Sequence, residues 1–335
     1  LKIARVTALD RRSGAAPLFV LAGGPGQSAI DLYASTAAAF ARIHRSRDIV
    51  LLDQRGTGAS TPLRCEFPQG LRGEDESPRA IRDATRRCLE RLGPRVRYFT
   101  TAAAVLDLED ARRALGGGPI DLYGVSYGTR VAQQYMRRFG AHLQAVILDG
   151  VIDPQRPIGA DTPVDGERAL QAILERCRAA PACARAFPAL QQDWRTLRAR
   201  FGTQRVPLEL ADPTDATVTH LSFDRGTLSA ALRLLSYSSS QASLLPYLIH
   251  RAAQGDLRPL AAQAVLTTRR VGDQLAIGMQ NSVVCSEDWP LLQTLPADRS
   301  RLADTYMGAD QLDALAQICA LWPRGPVAAD LHAPL

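Results

Sequence analysis

Ser126 stands in Gly124-Val125-Ser126-Tyr127-Gly128, with a glycine two positions away on each side. The apolar run 119-PIDLYGVS-126 leads into it, and the helical pattern 128-GTRVAQQYMRRF-139 leads out. A strand turning sharply into a helix needs small neighbours so that the backbone can fold back and expose the serine hydroxyl. The new helix aims free N–H groups and a partial positive charge at the same point. This pattern assigns Ser126 as a nucleophile and the Tyr127 N–H as an oxyanion donor. The competing reading is a plain turn serine, because a bare G-x-S-x-G is common by chance. Its place between a strand and a helix argues for the nucleophile.

A second glycine-rich turn, 22-AGGPGQSA-29, also follows an apolar run. Its glycines let the backbone approach a bound carbonyl closely, and Gly24 is expected to supply the second oxyanion N–H. A phosphate loop would require a following G-K-[ST], which is absent. A third turn, 53-DQRGTGAS-60, repeats the plan, and Asp53 and Arg55 are expected to brace the loops as an ion pair.

These turns need a frame. Residues 1–154 alternate strand-like and helix-like stretches: 2-KIARVTAL-9, 17-PLFVL-21, 48-DIVLLD-53, 103-AAVLDLEDARRAL-115, 119–126, 128–139 and 144-QAVILDGV-151. Val105, Leu108, Ala111 and Leu115 recur at helical spacing. Alternating strands and helices imply a mostly parallel sheet covered on both faces, its strands buried apolar runs with the site at their carboxyl ends. From residue 155 to 335 the pattern is mainly helical: 167–180, 189–201, 227–237 and 242–254, with 206-VPLEL-210 and 217-TVTHLSF-223 pairing as a hairpin. A helical block inserted after the sixth strand of such a sheet is a cap, and the last part of the chain returns toward the core.

Composition narrows the function classes. The chain has 335 residues, 46% of them hydrophobic, and a net charge of +6. The basic residues are scattered among acids and no nucleic-acid-binding module accompanies them, which argues against a nucleic-acid partner. No apolar run approaches the roughly 20 residues of a membrane span. Six cysteines occur without any C-x-x-C, so no metal site is expected, and no cofactor either. The simplest pairing is local: Cys65–Cys88, Cys177–Cys183 and Cys285–Cys319, one of about 15 connectivities. Six reduced core thiols are the other reading. Bridges would place the protein in the periplasm or outside the cell.

With 23-GGPGQSA-29, 53-DQRGTGAS-60, 107-DLEDARRALG-116, 121-DLYGVSYGTRVAQQY-135, 147-ILDGVIDP-154, 284-VCSEDWP-290 and 319-CALWPRG-325 in this order, the sequence resembles the proline iminopeptidase and tripeptidyl aminopeptidase group of α/β-hydrolases, especially its secreted bacterial members. One departure is Ala22, where many iminopeptidases carry histidine. The resemblance implies an α/β-hydrolase fold with an inserted cap. It also implies hydrolysis of peptides from a free N-terminus, with Glu287 and Asp288 as candidates to hold the substrate's ammonium. A structural, helix-capping acid pair is the other reading of those two residues. An esterase and a non-catalytic peptide-binding relative are the rival functions.

A serine nucleophile needs a histidine and a carboxylate, which follow it in this family's chain order. His44 and His142 flank core strands and read as surface residues. His220 and His250 fall in the cap, and His332 lies three residues from Leu335 with no strand to position it or Asp330. The resemblance therefore implies that the catalytic Asp and His, with the last core strands, lie beyond Leu335. The opening inside a strand likewise reads as a fragment. The expectation is an inactive chain of unknown oligomeric state.

Overall fold

The apolar runs of the first half become five strands in the computed structural model, which describes residues 1–65, 77–294 and 299–335. They are β1 (Lys2–Val6), β2 (Leu18–Leu21), β3 (Ile49–Asp53), β4 (Ile120–Val125) and β5 (Leu143–Asp149). The sheet order is β1-β3-β2-β4-β5, parallel except for β1, which runs antiparallel to β3. Alternation along each strand sends side chains to opposite faces. Leu18, Val20, Ile49 and Leu51 meet Phe40 on one face. Phe19, Leu21, Val50 and Leu52 join the larger cluster on the other.

Four helices of eight or more residues follow or cross between these strands: α1 (Ala29–Thr36), α2 (Pro78–Leu92), α3 (Thr101–Ala114) and α4 (Tyr127–Phe139). Side-chain caps start three of them, with Ser28, Ser77 and Thr100 accepting from the N–H three residues on. The helical spacing in α3 buries Val105, Leu108 and Ala111. Leu115 departs from that pattern: it caps the helix and is 41% exposed.

Two expectations for the sheet need correction. Among the described residues five strands, not six, precede the cap. β5 is not a buried core strand, since its residues are half-buried or exposed and Ile147 is 48% exposed. It lies at the sheet edge, paired only with β4, so one side has no strand to bury against.

The cap holds α5 (Thr162–Ala179), α6 (Leu190–Phe201), the antiparallel hairpin β6 (Val206–Ala211) and β7 (Val218–Phe223), α7 (Arg225–Leu235), α8 (Leu245–Ala253) and α9 (Arg258–Gln274). These elements share one apolar cluster running from Leu170 to Val265 and joined by Tyr306 and Met307. α9, 17 residues long, was not singled out from the sequence. Its polar residues, among them Gln263 and Asp273, interrupt the apolar stripe.

The chain then returns to the core. α10 (Ile277–Val283), a π-helical turn (Val284–Asp288) and α11 (Asp310–Cys319) contribute Met279, Val283, Cys285 and Cys319 to the core cluster, and Trp322 follows just beyond α11. All six cysteines are bridged in the local scheme, Cys65–Cys88, Cys177–Cys183 and Cys285–Cys319. The last bridge staples the π-helical turn to the end of α11. Among the described residues no helix is long and apolar enough to cross a membrane.

Candidate active site

β4 ends one residue before Ser126 and α4 begins one residue after it. Ser126 therefore takes the whole change of direction, with φ 54° and ψ −122°. Such a backbone is strained for a residue with a side chain and persists only where the surroundings over-determine it. The flanking glycines provide that room. A side-chain carbon on Gly124 would lie 2.6 Å from the Gly128 carbonyl oxygen, and one on Gly128 would overlap the Leu21 carbonyl. The Ser126 N–H donates to the Asp149 carbonyl at 2.9 Å, tying the turn to the end of β5. Ser126 itself is exposed.

The glycine loop after β2 lies against this turn. A carbon on Gly23 would sit 3.0 Å from the Ser126 Cβ, so the two turns approach as closely as they do with glycine there. Gly24 has φ 107°, a conformation that favours glycine. The loop is held by Gln27, whose N–H donates to Gly23 O and whose Oε1 accepts the Gly23 N–H, both at 3.3 Å. From outside, the Ala276 N–H donates to Gly26 O at 3.0 Å, and Gln27 bridges to Leu275. Among the described residues, the Gly24 and Tyr127 N–H groups donate to no protein acceptor. Two unspent donors beside an exposed serine are what an oxyanion needs.

Residues 16–179 match the protein-family model described as "alpha/beta hydrolase fold". This chain has the α/β-hydrolase fold. Its relatives include the hydrolase YuaR of Escherichia coli K12, 25% identical over 96% of this chain and 65% of that protein. The tripeptidyl aminopeptidase of Streptomyces coelicolor is 33% identical over 40% of this chain and 28% of its own length. Carboxylesterase B of Mycobacterium tuberculosis is 36% identical over 46% of this chain and 32% of its own length. The chain thus spans 65%, 28% and 32% of the lengths of these relatives.

The acid pair Glu287 and Asp288 sits beneath the protein's surface, 3% and 0% exposed. Asp288 takes a two-pronged bond from Arg130, at 2.8 and 3.0 Å, and the Ile158 N–H at 2.7 Å. Glu287 accepts the Thr101 N–H at 2.6 Å and the Thr101 hydroxyl at 2.7 Å. Arg130, on the second turn of α4, is 2% exposed and also lies 3.6 Å from Glu287. These contacts match the structural, helix-capping reading of the pair. Every carboxylate oxygen faces a protein donor, so the pair braces α4, the N-terminus of α3 and the start of the cap. Arg130 matches Asp288, which leaves Glu287 as a second acid beside one cation. Burial pushes Glu287 up to about 7, against the opposing pull of Arg130 and of the Thr101 bonds. The Thr101 hydroxyl continues to the buried Tyr127 Oη at 2.9 Å, and burial holds that phenol neutral.

No described histidine side chain is hydrogen-bonded to Ser126. His44 Nε2 meets the Thr7 carbonyl. His142 is half-buried rather than a free surface group, its Nδ1 3.3 Å from Glu109, a carboxylate that Arg112, Tyr135 and Arg113 hold well below the usual range. His250 pairs with Asp193 at 2.8 Å inside the cap. His332 has both ring nitrogens at carbonyl oxygens, Pro154 at 2.8 Å and Glu287 at 2.9 Å. Asp330 accepts from Gln134 at 2.8 Å, so it and His332 do not form a pair.

Asp53 and Arg55 do not pair either. Asp53 accepts from the Ser28 hydroxyl at 2.7 Å and the Ala59 N–H at 3.0 Å. Arg55 reaches Asp107 on α3 with two bonds of 2.6 Å. The strand ends at Asp53 and the chain turns before Arg55, so the two side chains diverge and each finds a distant partner. Sequence reasoning missed Arg130, Thr101 and Leu275–Ala276. Arg130 looked like one more charge in a polar helix, and only the tertiary fold buries it.

Proposed function

We propose that this α/β hydrolase acts on acyl substrates through a covalent ester on Ser126, and that its substrates are peptides cut from a free N-terminus. Ser126 Oγ attacks the scissile carbonyl, and the Gly24 and Tyr127 N–H groups receive the negative charge on its oxygen. Collapse of the tetrahedral intermediate expels the amine, and water then hydrolyses the acyl-enzyme. The carrying observation is the strained, exposed Ser126 beside two N–H donors that no protein group occupies. The peptide substrate rests on the sequence resemblance and on a relative named tripeptidyl aminopeptidase. A relative named carboxylesterase B favours the second reading, hydrolysis of simple esters by the same nucleophile.

The general base is not hydrogen-bonded to Ser126 among the described residues, so we expect only trace turnover from residues 1–335. An oxyanion hole and binding alone leave about 10³–10⁴-fold catalysis over water. Export is proposed on the three bridges. The test is fluorophosphonate labelling of the chain and of Ser126→Ala, with turnover of an aminoacyl-amide and a simple ester compared in both proteins. Labelling that is slow but lost in Ser126→Ala, with preference for the amide, supports the first reading. Preference for the ester supports the second. Equal labelling of both proteins removes Ser126 from the chemistry.

A further inference from the structure

The Gly24 and Tyr127 N–H groups belong to different elements, the loop after β2 and the first residue of α4, and neither element alone fixes how the two donors converge. One helical run touches both. α10 (Ile277–Val283) passes without a break into the π-helical turn (Val284–Asp288). The run is anchored along its length. Met279, Val283, Val284 and Cys285 are buried, and the Gly278 N–H donates to the Leu63 carbonyl at 2.8 Å. Trp322 Nε1 donates to the Ser282 hydroxyl at 3.1 Å, and Cys285 is bridged to Cys319.

The first end of the run grips the glycine loop. Gln274 closes α9, and Leu275 follows in an extended conformation, φ −108° and ψ 129°, that pairs it with Gln27 in an antiparallel bridge. The Ala276 N–H donates to Gly26 O, and a side-chain carbon on Gly26 would lie 2.7 Å from the Ala276 carbonyl oxygen. A carbon on Gly24 would lie 3.2 Å from Leu275 Cδ2, so this side chain backs the residue that carries the donor. The other end grips α4. Glu287 accepts the Thr101 N–H and hydroxyl, and that hydroxyl meets Tyr127 Oη at 2.9 Å. Thr101 and Tyr127 are wholly buried, so the phenol has no solvent alternative. Arg130, also on α4, bonds Asp288 at the end of the same run.

Two donors stabilise one oxyanion only while both lie within about 2.7–3.1 Å of it, so their separation and aim must be held in advance. We propose that the run 277–288 is a strut that sets this separation. Leu275 and Ala276 are the positioning residues for the Gly24 N–H. The Tyr127 phenol, the Thr101 hydroxyl and Glu287 are the positioning groups for the Tyr127 N–H. The inference rests on the reading of Ser126 as the nucleophile and adds to it. Because Leu275 directly follows α9, the strut also carries a displacement of that cap helix to the oxyanion loop.

The test labels residues 1–335 with two probes that differ in one atom: an alkyl fluorophosphonate, and its counterpart with sulfur in place of the phosphoryl oxygen. With either, Ser126 Oγ bonds to phosphorus, fluoride leaves and the serine proton passes to water. Oxygen accepts hydrogen bonds well and sulfur poorly, so the ratio of the two maximal labelling rates reads the oxyanion donors. Ala276→Pro removes the N–H that holds Gly26. It suits the backbone, since Ala276 has φ −81° and Leu275 before it is extended. Tyr127→Phe removes the phenol at the other end. Each should lower the oxygen-to-sulfur ratio about tenfold, less than the roughly 10²–10³-fold that loss of a whole donor costs. The half-saturating probe concentration should stay unchanged. An unchanged ratio in either variant, or rates that fall equally with both probes, overturns the proposal. Should Ala276→Pro not fold, Leu275→Ala takes its place with the same expected fall. If Ser126→Ala is labelled as fast as the parent chain, the reading of Ser126 fails and the strut falls with it. If Ser126→Ala is not labelled and the ratio still holds in the variants, the strut falls alone.

Discussion

The nucleophile turn and the cap are both tightly packed, but by opposite means. Around Ser126 the contacts are backbone against backbone. Gly124 closes on Gly128, Gly128 on Leu21 and Gly23 on Ser126, and no side-chain carbon fits at Gly124 or Gly128. In the cap the contacts are side chain against side chain: Leu170, Trp194, Phe201, Leu232 and Ile249 fill one cluster, and Phe201 meets Phe223 edge-on at 4.9 Å. Backbone contacts fix the direction of a reacting atom and leave no slack. Apolar side chains stabilise by volume and can repack. The turn is therefore the precise part of the molecule, and the cap the adjustable part.

Gly128→Ala probes that difference hardest. The new methyl would collide with the Leu21 carbonyl, which is held in the sheet and cannot rotate away. Loss of more than about 4 kcal/mol is expected, read as insoluble protein or a lost urea transition. A variant that stays soluble with its stability intact would show that the turn has slack after all.

Leu232→Ala is the matching change in the cap, at a residue 1% exposed. It should cost about 2–5 kcal/mol, according to how far the helices close around the cavity. Protection of the core from proteolysis and fluorophosphonate labelling of Ser126 should persist. If labelling falls as far as stability does, the cap and the turn are not separable in the way their packing implies.

The smallest expected effect concerns Glu287, which lies between the two regions. Its carboxyl is raised from 4.5 to about 7 by burial. Between those values the folded state keeps a proton that the unfolded state releases, so this group's contribution falls as pH rises through the window. The full shift would amount to at most about 3 kcal/mol. Glu287→Gln keeps an acceptor for the Thr101 N–H and cannot ionise. Urea midpoints of the two proteins should therefore be similar near pH 4.5 and diverge in favour of the variant by pH 7. Parallel curves would mean that Glu287 titrates like an exposed carboxylate.

Much of this was legible in the chain. The local disulfide pairing, four strands and the cap hairpin follow from short-range pattern and appear as expected. The turn glycines around Ser126 also declared themselves, because a tight turn leaves few residue types to choose from. β5 carried the same apolar signature as the buried strands, yet it lies at the edge. A run of apolar residues reports the preference of its side chains, not which neighbours are present to cover them.

The sequence by itself determined where the backbone must turn, at Gly23–Gly26 and at Gly124–Gly128, because clustered glycines between an apolar run and a helical pattern mark a tight turn. Only the tertiary structure decided the partners of the charges. Arg130 reaches Asp288, 158 positions away, and Arg55 reaches Asp107 rather than Asp53. Glu287 turns inward to Thr101. A carboxylate or guanidinium has the same local signature whether it is solvated or buried. Long-range packing alone sets which, because burying a charge is tolerated only where an opposite charge or enough hydrogen-bond donors arrive with it.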